Sequence, residues 1–251
     1  MSTAIAHPSS ASKTSVSMPG RRYDHLFFST MVLLLLATVF VGFARSYYLA
    51  GMFQAPLPSR IVHLHGAAFS CWILLLVLQT SLVFAGRTDV HRRLGIAGFL
   101  LAILMVILGI LAGTDALVRE ASAPGWDPKS FYIIPLTGIL IFATLIFSAF
   151  RARLNPPEHK RLIFIATTVL SVAAIARWPL AMVLGNPPRA MLFSYIFLFI
   201  LAGYDWWSTR KIHRATIWAS VFAISLEQIT LPIGKTAVWH SFASWIQSVA
   251  R

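Results

Sequence analysis

The chain has 251 residues, of which 57% are hydrophobic and only 12% charged, with a mean hydropathy of +0.73. Those values exclude a soluble globular domain, and the formal charge of +13 resides in Arg and Lys of the connectors between apolar runs, which argues against a nucleic-acid partner. A single cysteine, Cys71, excludes an intrachain disulfide and a thiolate metal cluster.

Residues 1–22 are rich in Ser, Ala and Thr, lack an apolar run and end in Arg21-Arg22, a pattern that predicts a disordered tail with no cleavable signal. Seven stretches then meet the length of about 20 apolar residues that a bilayer core requires. They run from His25 to Ala50, Ile61 to Ala85, Arg93 to Leu117, Phe131 to Phe150, Lys160 to Leu184, Ala190 to Trp207 and His213 to Gly234. The sequence therefore predicts an all-α, polytopic membrane bundle of seven transmembrane helices over residues 23–235. A short amphipathic interfacial helix follows over residues 236–251, with Trp239, Phe242, Trp245 and Ile246 on one face.

Alternate connectors carry most of the basic residues: Lys13, Arg21 and Arg22; Arg87, Arg92 and Arg93; Arg151, Arg153, Lys160 and Arg161; Arg210, Lys211 and Arg214. Loops rich in Lys and Arg stay in the cytoplasm, so the expected location is a bacterial inner membrane with the N-terminus inside and the C-terminus outside. Membrane lipid is the first expected partner, with a respiratory or other membrane complex as a second.

The odd-numbered segments open on a histidine beside a basic residue: His25 after Arg22, His91-Arg92-Arg93, His159-Lys160-Arg161 and His213-Arg214. Two readings remain open. The residues are interfacial anchors, or Arg92, Arg93, Arg161 and Arg214 form a basic ring at a cytoplasmic mouth where His91, His159 and His213 hold a haem or a metal ion.

In the second segment Ser59 is the expected N-cap of a helix that begins Ile61-Val62-His63-Leu64-His65-Gly66. Residues two apart on a helix point about 200° from each other, so His63 and His65 belong to different stripes. His65, Trp72, Gln79 and Gly86 recur every seven residues and share a face, while His63, Gly66, Ala67 and Ser70 form a stripe of mostly small residues. His65 is thus the better candidate ligand or proton carrier, though both histidines count among the candidate haem or metal ligands.

Arg177 in the fifth segment and Glu227-Gln228 in the seventh are costly charges or polar groups at membrane depth, which should be paired or face a wet cavity. They are expected to join His65 and Gln79 in one outward-facing pocket, with Arg177 near Glu227 and with Pro179 and Pro232 loosening the helices beside it. The bland alternative is a structural salt bridge between Arg177 and Glu227. Gly95, Ala102, Gly109 and Ala116 mark a close-packing stripe on the third segment, and Asp205 could pair with the basic cluster.

The run His63-Leu64-His65-Gly66, Trp72, Gln79, Gly86-Arg87, His91-Arg92-Arg93-Leu94-Gly95, His159-Lys160-Arg161-Leu162 and Ala176-Arg177 resembles a family of uncharacterised bacterial seven-helix membrane proteins. That resemblance implies a location and no activity. A weaker likeness is to haem-handling membrane helical proteins of the haem A synthase and cytochrome b561 type, which implies imidazole ligation of haem. Topology alone is similar to the ceramidase and adiponectin-receptor zinc hydrolases, but the seventh segment has no histidine after His213 to supply their metal site.

Three functions follow from these residues. The first, slightly favoured, is a haem- or metal-associated redox or respiratory-assembly role. The second is a small-molecule or lipid transporter, or a membrane-embedded enzyme, using the outward-facing polar pocket. The third is a scaffold subunit of a membrane complex.

Overall fold

The computed structural model describes residues 23–56 and 58–251; the N-terminal tail expected over residues 1–22 lies outside the described residues. Among the described residues the regular structure is helical, in eight α-helices: α1 (Asp24–Phe43), α2 (Arg60–Phe84), α3 (Thr88–Val118), α4 (Pro128–Arg151), α5 (Pro156–Ile175), α6 (Pro187–Thr209), α7 (Arg214–Ile233) and α8 (Ala237–Ala250). A π-helical turn, Ala44–Tyr48, extends α1.

The helix starts are written in side chains that satisfy or dispense with the first free backbone N–H groups. Ser59 accepts from the Val62 amide, Asp127 from Ser130, Asn186 from Arg189 and Thr236 from Trp239, while prolines occupy the first turns of α4, α5 and α6. The cap expected at Ser59 is the one observed.

Six helices are long and apolar enough to cross a membrane: α1 with its π-turn, α2, α3, α4, α6 and α7. The protein is a membrane-embedded helical bundle. The seventh expected span, α5, falls short of that apolarity, and the reason is its place in the bundle. It packs closely on α1, α4, α6 and α7, and twelve of its 20 residues are buried, Arg161, Thr167, Thr168 and Ser171 among them. A helix enclosed by other helices meets protein in place of lipid, so its polar residues can be satisfied internally; Thr167 and Thr168 donate to the carbonyls one turn back.

The fifth segment also ends earlier than expected, at Ile175 and not at Leu184. Pro179 lacks an amide and disfavours the α conformation at Trp178, so the chain leaves the helix through a series of turns and returns at Gly185, whose φ of +67° closes the connection to α6. Arg177 consequently stands just beyond the helix end.

One end of the bundle gathers the basic connectors, and there Arg161 and Asp205 form a buried ion pair at 4% and 0% exposure. Asp205 also accepts from the His213 amide at 3.1 Å and the Thr216 hydroxyl at 2.6 Å, so α5, α6 and the start of α7 are tied by one carboxylate. Next to it Lys160 contacts Asp24 at 2.6 Å, and the Tyr204 hydroxyl donates to Asp24 at 2.8 Å, which brings in α1.

At the opposite end α8 folds across α3 and α4. Its aromatics divide between two faces, a correction to the single face expected. Trp239, Ala243 and Ile246 pack on Leu117 and Tyr132, with Trp239 Nε1 donating to Lys129 O, whereas Phe242 and Trp245 are exposed.

Candidate functional site

Because α5 packs closely on four neighbours but not on α2 or α3, the space between α5 and the α2–α3 pair is incompletely filled. Two cavities occupy it. The one toward the basic end measures about 730 Å³ and the one toward the opposite end about 860 Å³.

The seven-residue stripe of α2 runs past both. His65 lines the cavity away from the basic end, Trp72 and Gln79 line the cavity toward it. Trp72 is 5% exposed, stands edge-on to Phe142 with ring centroids 5.4 Å apart, and donates from Nε1 to Thr167 Oγ1 at 3.2 Å. Those contacts bridge α2 to α4 and α5, and Phe142, unlike Trp72, lines the cavity away from the basic end.

His65, Arg177 and Glu227 share the larger cavity. Glu227 is 3% exposed, and its Oε2 has no hydrogen-bond partner among the described residues; the same is true of His65 Nδ1. The Tyr195 hydroxyl lies beside the Glu227 carboxyl and accepts from Gln228 Nε2 at 3.0 Å. Arg177 donates to Ala173 O at 2.6 Å and lies 4.9 Å over the Phe43 ring. It forms no ion pair among the described residues, so most of its N–H groups stay uncommitted. The guanidinium is accessible although helices surround it, as befits a cation facing a cavity. The expected Arg177–Glu227 pair is therefore not formed; the early end of α5 turns Arg177 back along its own last helical turn.

Two further residues expected in this pocket lie elsewhere. Gln79 is three helical turns and more from His65 and lines the other cavity, since a stripe that runs the length of a helix cannot converge on one point. Gln228 neighbours Glu227 in sequence but diverges from it around the helix toward Tyr195.

Around the smaller cavity stand His25, His91, Arg92, His159 and Lys160. Gln79 Nε2 donates to His91 O at 3.2 Å, leaving Gln79 Oε1 and His91 Nδ1 buried with no partner among the described residues. His159 Nδ1 lies 2.8 Å from Ala149 O. Of the proposed basic ring, Arg92, Arg93 and Arg214 are exposed, whereas Arg161 is consumed by Asp205 and by Pro157 O. His213 is not in either cavity: its Nδ1 accepts from the Ala215 amide and caps α7. His63 is exposed, with Nδ1 3.2 Å from the Tyr47 hydroxyl, and the Tyr47 ring covers Gly66. The small-residue stripe of α2 thus seats the π-turn of α1.

Among the described residues no three His, Cys, Asp or Glu side chains converge as metal ligands. Three contributors escaped the sequence reading: Tyr195, one of several hydroxyls in a Phe-rich helix; Phe142, unremarkable in an apolar run; and Thr167, whose only signal is its place beside other hydroxyls on α5. Comparison of the chain with protein-family models, curated proteins and solved structures finds no match.

Proposed function

We propose that the protein is an inner-membrane transporter of a small amphiphile that carries an anionic group and a hydrogen-bond donor, bound first by Arg177, Glu227 and His65. The observation that carries this reading is the larger cavity, in which two buried polar atoms lack partners among the described residues beside a guanidinium with free donors. Leaving one buried polar atom unsatisfied costs about 1–3 kcal/mol, so such a concentration marks a place where another molecule supplies the partners. Arg177 meets the anion; His65 and Glu227 meet the donor; Phe69, Met105 and Leu170 wall the apolar part.

In this reading α5 is a seventh crossing, the basic end is cytoplasmic and the larger cavity opens outward, following the distribution of Arg and Lys. The test is binding of β-hydroxydecanoate to the purified protein. Wild type should bind, and Arg177→Ala should lose about tenfold or more in affinity, the scale of a charge-assisted hydrogen bond. Equal binding by the two proteins rejects the pocket; a change in stability alone favours a scaffold subunit.

A second reading, a haem-associated redox role, is supported by His91 and His159 lining one cavity, His91 with an unpartnered Nδ1. Haem bound there would supply electron transfer. A Soret band that shifts on reduction in the purified protein would put this reading first.

A further inference from the structure

The two cavities repeat one chemistry. Each presents an imidazole whose Nδ1 is buried without a partner among the described residues, His65 in one and His91 in the other. Each adds an acceptor oxygen in the same condition, Glu227 Oε2 and Gln79 Oε1, and each has a guanidinium at its wall, Arg177 and Arg92. Of the five buried side-chain polar atoms that lack partners among the described residues, four are these; the fifth is Ser220 Oγ. Ordinary packing scatters such atoms, because each costs stability wherever it falls. Their confinement to two cavities on one helix stripe points to a shared occupant.

We propose that Gln79 and His91, with Arg92 at the rim, form a second binding subsite for the same anionic, hydrogen-bond-donating amphiphile, reached from the first past Trp72. The proposal rests on the functional reading above and adds to it an inner site and a route. At 1.5 Å per residue the fourteen residues from His65 to Gln79 cover about 21 Å along α2, with Trp72 halfway. Between the cavities, Trp72 lines the inner one and Phe142 the outer one; the two rings meet edge to face and Trp72 is held by its bond to Thr167. In the proposed route this pair of rings is the barrier, and the ligand gains at the inner site partners of the kind it leaves at the outer one.

Sidedness of thiol labelling tests this in the full-length protein, reconstituted in vesicles with Cys71→Ser as background, since Cys71 is exposed on α2. A membrane-impermeant maleimide should reach Thr80→Cys, in the inner cavity, from the basic side alone and Ala112→Cys, in the outer cavity, from the opposite side alone, and β-hydroxydecanoate should slow both reactions. Adding Trp72→Ala should open each cysteine to the far side, raising that labelling rate by about tenfold or more, equivalent to removing roughly 1.4 kcal/mol of barrier. Phe142→Leu, a milder change in the same pair of rings, should raise it less and serves if Trp72→Ala does not fold. If Thr80→Cys is labelled from the basic side but β-hydroxydecanoate does not slow it, while Ala112→Cys remains protected, the inner subsite is wrong and the outer pocket stands. If neither cysteine is protected, both readings fall. Unchanged sidedness in Trp72→Ala and Phe142→Leu overturns the route.

Discussion

Asp127 shows how one side chain can join two elements at the end of the bundle opposite the basic connectors. Its Oδ2 accepts from the Ser130 amide at 2.7 Å, capping α4, and lies 3.7 Å from Nε2 of His240 on α8. His240 Nε2 is also 2.9 Å from Ser130 Oγ and 3.1 Å from Gly234 O, so it serves the docking of α8 and is not left for a cofactor. Burial pushes the Asp127 carboxyl up, but the Ser130 amide and hydroxyl, His240 and Lys129 together hold it below the ordinary carboxylate value. A carboxyl whose pKa is lower in the folded state than in the unfolded chain stabilises the fold above its unfolded value near pH ~3.9 and loses that contribution as pH falls through the folded one. We expect α8 to loosen on acidification below about pH 4, read as a change in Trp239 fluorescence, and we expect Asp127→Asn to lack that acid step. Superimposable titrations of the two proteins would rule Asp127 out as its source.

At the scale of elements, α1 and α5 approach closely at Gly42. A Cβ built on Gly42 would stand 2.2 Å from the carbonyl oxygen of Ala174, and backbone cannot yield as a side-chain tip can. Gly42→Ala should therefore separate the two helices and destabilise the protein by about 1–3 kcal/mol, the usual scale of overpacking. Gly203 in α6 has nothing within 4 Å of the same construction and is the control; there Ala should be neutral or stabilise by up to about 1 kcal/mol through helix propensity. Equal thermal stability of the two variants would show that α1 and α5 are not held in this contact. How much of these elements is legible beforehand depends on range. Helix starts are local, and Ser59 announces its cap in the sequence. The end of α5 is local as well: Pro179, expected to loosen a helix, helps to end one. The closeness of Gly42 to Ala174 is legible in neither segment alone, because it exists only once α1 lies on α5. The site divides in the same way: His65 facing inward follows from the stripe, whereas the parting of Gln79 from Glu227 depends on which helices leave a gap beside α5.

Among the described residues of the whole molecule, α1, α2, α3, α4, α7 and α6 pack in that order around α5, with α6 meeting α1 through Tyr204 against Asp24 and Phe27, and that arrangement decides what a hydropathy profile can say about topology. Among the described residues six helices carry the length and apolarity of a span. α5 does not need it: Arg161 at its start is paired with Asp205, the hydroxyls of Thr167 and Thr168 return to its own backbone, and Ala174 near its end lies under Gly42. Twenty residues at 1.5 Å each make it about 30 Å long, the thickness of the hydrocarbon core. It runs from the basic end, where Arg161 meets Asp205 of α6, to the far end, where α1 passes into its π-turn. In the proposed reading a helix of that length, joining both ends of the bundle, is a seventh crossing, and the termini then lie on opposite sides of the membrane. Were α5 excluded from the membrane, six crossings would return the C-terminus to the side of the N-terminus, and the basic connectors after α6 would no longer share a face with those before α3. We expect a tag at the N-terminus to be shielded from protease in intact spheroplasts and a tag after Arg251 to be cleaved. Shielding of both tags would remove α5 from the membrane, and with it the Thr167 contact that holds Trp72 in the proposed route.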